Sequence, residues 1–154
     1  MVRDLTEQAQ TLLQSAHEQE LPMAVMEQVV MVLQEVAGSL NYQEYFLLRY
    51  PDESWLTLRS QEGQRWLLAY GHESDAQTTQ QELSLQNLPL QVVPLEVLSI
   101  LFLGLGLQQA EGLLFYDQAG ERQVGKSVMQ ADLQAQVNRY LQGIPLPPED
   151  MSLA

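Results

Sequence analysis

The stretch Tyr42–Tyr70 constrains the fold more than any other part of the chain. Tyr42-Gln-Glu-Tyr-Phe-Leu-Leu-Arg-Tyr50 is aromatic-rich and stops at Pro51-Asp52-Glu53. Proline presets φ and aspartate bonds its own backbone, so this is a turn with a mechanism. Trp55-Leu-Thr-Leu-Arg59 follows, then a turn at Gln61-Glu-Gly-Gln64 whose glycine is free to take positive φ. Arg65-Trp-Leu-Leu-Ala-Tyr70 closes the run at Gly71. Short β-rich runs between such turns predict an antiparallel meander. The run holds three of the six arginines and both tryptophans.

Side chains alternate across a strand, so pairing decides which residues share a face. With Arg49 opposite Trp55 and Arg59 opposite Arg65, one face is Tyr42, Phe46, Leu48, Leu56, Leu58, Trp66, Leu68 and Tyr70. Nearly free of charge, it is expected to be the core face. The other carries Tyr45, Arg49, Trp55, Arg59 and Arg65 among Gln43, Leu47, Thr57, Leu67 and Ala69. Arginine beside aromatics is the composition of interaction hot spots. These five residues are therefore the expected partner-binding set. The plainer reading is a solvated face with arginine stems over the rings, or a face under a helix.

Flanking segments read as helices. Leu5, Ala9, Leu12, Leu13 and Ala16 recur at helical spacing. Pro22 suits the first turn of a second helix carrying Val25, Met26, Val29, Val30, Leu33, Val36, Ala37 and Leu40. His72 to Gln81 is polar and reads as a loop. Leu83 to Val92 suggests extended segments, interrupted at Pro89. Pro94 reads as opening a third helix from Leu95 to about Leu105. Gly112-Leu-Leu-Phe-Tyr116 reads as a strand, and Asp117-Gln-Ala-Gly120 as a turn. Ser127 with Gln130 has capping-box spacing, predicting a last helix through Leu133, Val137, Tyr140 and Leu141. The expected fold is α+β: a mainly antiparallel sheet centred on 42–70, packed with N-terminal, middle and C-terminal helices. Residues 1–143 read as one domain, followed by a proline-containing tail at 144–154.

With 20 acidic residues against seven basic ones, the formal net charge is −13. Such a surface repels nucleic acid and anionic lipid and suits basic partners or plain solubility. The absence of cysteine removes thiolate chemistry and sulfur metal sites and suits a reducing, cytoplasmic setting. No apolar run is long enough to span a bilayer.

Gly120-Glu-Arg-Gln-Val-Gly125-Lys126-Ser127 matches the phosphate-binding loop G-x-x-x-x-G-K-S. Gly120, Gly125, Lys126 and Ser127 are thus the cofactor-binding set of an alternative, nucleotide-binding reading. Against it, the loop interior is bulky, no apolar strand ending in aspartate follows, and the sheet reads as antiparallel. His72-Glu-Ser-Asp75 groups a histidine with two carboxylates but lacks the further ligands a metal needs. No metal, cofactor or catalytic residue is expected.

From Arg65 to Asp117 the order of elements resembles the N-terminal domain of the SseB-like family. The residues are Trp66-Leu-Leu-Ala-Tyr-Gly-His72, Asp75-Ala76 near a helix start, Leu90-Gln-Val-Val-Pro-Leu-Glu-Val-Leu98 as strand, proline, helix, and Gly112–Asp117 as the next strand. The resemblance implies no catalytic site. As a whole the chain is similar to the small, acidic, glutamine-rich assembly chaperones of cyanobacteria that serve Rubisco, carboxysomes or photosynthetic complexes. Together these readings predict a non-catalytic interaction module, an adaptor or assembly chaperone that binds a peptide or tail of another protein. A homodimer is the structural alternative.

Overall fold

The computed structural model describes residues 4–84, 89–108, 110–121 and 125–141. The tail at 144–154 and the interior residues 122–124 of the glycine-flanked loop lie outside the described residues.

The chain enters through α1, Leu5–Glu18, whose Asp4 side chain accepts from the Glu7 amide at 2.8 Å. Its stripe rests on α2, Met23–Ala37, which enters at Pro22 and buries Met26, Val29, Val30, Val32, Leu33 and Ala37. The apolar set of α2 is wide because the helix packs against α1 and two later helices.

The three strands of 42–70 form with the expected register but not as a meander. They are β1, Glu44–Arg49, β2, Thr57–Arg59, and β3, Arg65–Tyr70. Arg49 bridges Trp55, and Arg59 lies opposite Arg65. However, β1 and β2 share one edge of β3 end to end. Phe46 pairs Tyr70, while Thr57, Leu58 and Arg59 pair Leu67, Trp66 and Arg65. A middle strand of three residues is too short to keep its neighbours apart along their length.

After β3 comes a helix where the polar sequence suggested a loop: α3, Glu73–Ser84. Its inward positions are Asp75, Ala76, Thr79, Gln80 and Leu83, a helical spacing in which three members are polar. All three polar members found partners, Asp75 accepting from the Gly120 amide at 3.0 Å. Thr79 donates to the Tyr70 hydroxyl at 3.1 Å, and Gln80 donates to the Leu90 carbonyl at 2.7 Å. Apolar periodicity could not register them.

Next is β4, Gln91–Glu96, which contains Pro94, and then α4, Val97–Gly106. Pro94 therefore does not open the helix. β4 is an edge strand, a place where a missing N–H is tolerated. α4 is capped from another element: the buried Gln8 side chain accepts from the Leu98 amide at 3.1 Å and donates to the Gln43 carbonyl at 2.9 Å. Then β5, Gly112–Tyr116, and β6, Lys126–Met129, lead into α5, Gln130–Leu141. The last helix thus starts at Gln130 rather than Ser127. Gln130 uses its side chain to bond the carbonyls at the end of α4, including Gly104 at 2.9 Å.

The sheet order is β4–β1–β3–β5–β6, antiparallel except for the parallel pair β3–β5, with β2 beside β3. The fold is α+β, with helices at the N-terminus, middle and C-terminus.

Both faces of the sheet are covered, which corrects the expected division into core and recognition faces. Tyr45, Leu47, Leu67, Ala69, Leu113 and Phe115 lie in the main core with residues of α1, α2, α4 and α5. Of these, Tyr45, Leu47, Leu67 and Ala69 belong to the face expected to bind a partner. Leu48, Leu68, Tyr70 and Tyr116 form a smaller core with Ala76 of α3.

Candidate functional site

The arginines emerge where the helical layer stops. Along β3, Leu67 is buried and Arg65 exposed; along β1, Leu47 is buried and Arg49 half-buried. Arg49, Trp55, Arg59 and Arg65 thus sit together at one end of the sheet. Tyr50, Ser54, Trp55, Thr57, Arg59 and Arg65 line an open concavity of about 400 Å³ there. The Arg49 guanidinium lies 5.9 Å from the centre of the Trp55 ring and donates to Gln91 Oε1 at 3.2 Å. Stacking on an aromatic face holds the guanidinium extended and leaves donors available. The loop that shapes the far wall is tied by Asp52, which accepts from the Ser54 hydroxyl at 2.6 Å and the Ser54 amide at 3.0 Å. These bonds hold the Asp52 carboxyl below its usual range.

Arg59 and Arg65 stand directly opposite each other. Among the described residues no carboxylate forms an ion pair with either of them. Like charges facing across a ladder destabilise it. In a chain with a large acidic excess, two exposed positive charges thus face each other with no ion pair among the described residues.

Tyr45 does not belong to this group. It is 0% exposed, its ring meets Phe115 edge to face at 4.8 Å, and its hydroxyl donates to the buried Asp117 carboxylate. It shares a face with Arg49, but four residues of strand set them roughly 13 Å apart, beneath the helices. Burial and the neighbouring carboxylate push its phenol well above the ordinary range.

The described ends of the glycine-flanked stretch are not placed as in a phosphate-binding loop. Lys126 and Ser127 lie in β6, paired with Phe115 and Leu114, not at a helix N-terminus. Lys126 and Ser127 therefore lack the helix N-terminus that the motif sets behind its lysine. Gly120 takes φ +80° and its amide donates to the buried Asp75 carboxylate at 3.0 Å. Gly125 is packed so that a Cβ would meet the Phe115 carbonyl oxygen at 2.6 Å. Lys126 spends its charge on Asp117, 3.3 Å away, and on the Ser39 carbonyl at 3.0 Å.

Asp117 is therefore a knot rather than a solvated turn residue. It joins the end of β5 to Tyr45 of β1, to the Asn41 amide at 3.4 Å, and to β6 through Lys126. Sequence reasoning missed it because a turn aspartate and a buried aspartate look alike one residue past a strand. His72 shares a hydrogen bond of 2.9 Å with the Tyr42 hydroxyl. Among the described residues no group of three or more His, Asp or Glu side chains is placed to hold a metal ion. Among them, too, no helix is long and apolar enough to cross a membrane.

Fold and site together define an α+β domain with a sheet covered on both faces and a cationic, aromatic end. No family model matches the chain, and no curated protein matches it. Among solved structures, Anabaena Tic22, described as a protein of protein transport, aligns over 79% of this chain at 11% identity, with a TM-score of 0.41. The chain spans about half of that protein, 51% of its length.

Proposed function

We propose that this chain is a non-catalytic interaction module, an adaptor or assembly chaperone, that grips a carboxylate-rich segment of a partner protein through Arg49, Trp55, Arg59 and Arg65. The observation that carries the reading is the facing pair Arg59 and Arg65, exposed and free of ion pairs among the described residues on a chain of net charge −13. The pair weakens its own ladder unless a negative group sits between the two side chains. A carboxylate from outside supplies that group, and guanidinium forks hold carboxylates in two-pronged fashion. Trp55 adds an apolar wall for the stem of the incoming side chain. A cytoplasmic setting belongs to the same reading, supported by the lack of cysteine.

The test is direct titration. A fluorescein-labelled glutamate-rich peptide should bind the wild-type protein, more weakly as salt is added, and should not bind the Arg49, Arg59, Arg65 triple-serine variant. Binding of the wild type no stronger than to a neutral peptide of equal length would refute the proposal.

A further inference from the structure

The concavity borders a strand edge that is unpaired among the described residues, and the backbone there points outward. The Ser60 amide donates to the Gln64 carbonyl at 2.7 Å, so residues 60 and 64 form a hydrogen-bonded pair. Bonded and non-bonded pairs alternate along an antiparallel ladder. Arg59–Arg65 is then non-bonded, Leu58–Trp66 bonded, and Thr57–Leu67 non-bonded. The Arg65 carbonyl agrees, because it accepts from Glu111 on the opposite side of β3 at 2.7 Å. Thr57 and Arg59 consequently turn their N–H and C=O groups away from the sheet. Among the described residues β2 pairs only with β3.

The two sides of this edge differ in chemistry. Thr57 and Arg59 share the arginine side with Arg65 and Trp55. Leu58 lies on the reverse side, next to Trp66. At 48% exposure it is the most exposed large apolar side chain among the described residues. It stands where the sequence predicted core. An apolar residue left open beside unpaired backbone is a surface lacking its neighbour.

We infer that the partner segment binds as an added strand on the outer edge of β2, with acidic residues alternating with apolar ones. This inference rests on the proposed carboxylate binding and specifies how the segment lies. Two backbone groups each from Thr57 and Arg59 set the register. Carboxylates at every second position flank Arg59, Arg65 and Arg49, while the intervening apolar residues cover Leu58. Strand addition draws affinity from main-chain bonds and specificity from alternate side chains. Charge selects the occupant. A second copy of this chain would set arginine against arginine at the same edge and bring a further acidic surface, so an acidic partner strand is favoured over self-pairing.

The experiment compares extended peptides of about six residues, a common strand length. One alternates aspartate with valine, and one has the same residues with all aspartates first. A third is the alternating peptide N-methylated on the amides that would bond to β2. The alternating peptide should bind best. N-methylation should weaken it about tenfold, the scale of losing one or two main-chain bonds. Thr57→Pro, which removes an outward N–H without touching an arginine, should weaken it similarly. If Thr57→Pro fails to fold, the N-methylated peptide against wild-type protein decides alone.

Equal binding of all three peptides to wild type and to Thr57→Pro would overturn strand addition while leaving carboxylate binding intact. Absence of binding by any acidic peptide would overturn both. A dimer formed through β2 in place of peptide binding, detected by sedimentation and abolished by Thr57→Pro, would overturn the acidic occupant.

Discussion

Replacing Gln8 by leucine should destabilise the protein by about 2 kcal/mol, and the figure follows from two hydrogen bonds. Gln8 is 1% exposed and lies on α1. Its Oε1 accepts from the Leu98 amide, one of the first-turn donors of α4 that no helical carbonyl can reach. Glu96, at the cap position, makes no capping side-chain bond. Leucine fills similar space but leaves that amide unpaired, at a cost of about 1–3 kcal/mol. The Gln43 carbonyl suffers less, since it still accepts from the Val97 amide at 2.9 Å. For a chain of this length, about 2 kcal/mol lowers the melting temperature by about 4–8 °C. Urea unfolding followed by tryptophan fluorescence should show an earlier midpoint with unchanged slope. Gln10→Leu, an exposed position on the same helix, is the control for helix propensity and should change little. A Gln8→Leu variant within about 0.5 kcal/mol of wild type would refute the idea that α4 is capped through α1.

Two further predictions follow from packing and titration. Burial, with Tyr70 and Glu121 nearby, pushes the Tyr116 phenol up to about 12, above its ordinary 10.0. The unfolded chain then loses its proton first, so stability is intact below about pH 10 and falls as pH rises toward about 12. Near-ultraviolet absorbance should show Tyr45 and Tyr116 ionising only together with loss of circular dichroism. Smooth ionisation of every tyrosine near the ordinary value, with the fold retained, would contradict their burial. Gly112→Ala drives a Cβ into the Val128 carbonyl oxygen and should break the β5–β6 pairing, costing about 1–3 kcal/mol in urea unfolding. Gly106→Ala meets nothing within 4 Å and should be neutral or mildly stabilising; equal effects from the two would contradict the assigned β5–β6 packing.

Much of the secondary structure was legible because it is written in local patterns. The stripes of α1 and α2, the strand Gly112–Tyr116 and the pairings Arg49–Trp55 and Arg59–Arg65 depend on periodicity and turn chemistry that neighbouring residues carry. Misreadings fell where a distant residue decides. α3 is a helix because Tyr70, Leu90 and Gly120 satisfy its inward polar side chains. Pro94 sits in a strand because β4 is at an edge. Lys126 and Ser127 lie in a strand because β5 offers them a partner, although their letters match a motif that needs a helix.

For the site, the sequence by itself determined which side chains alternate together and that arginine and tryptophan share a face. It could not determine how far along that face the helices reach. An isolated strand has two equivalent sides, and only the volume of the helices packed on them sets where burial ends. That tertiary boundary sent Tyr45 into the core with Asp117 and left Arg59, Arg65 and Leu58 outside. The end of the sheet, rather than a whole face of it, is therefore what the helices leave exposed.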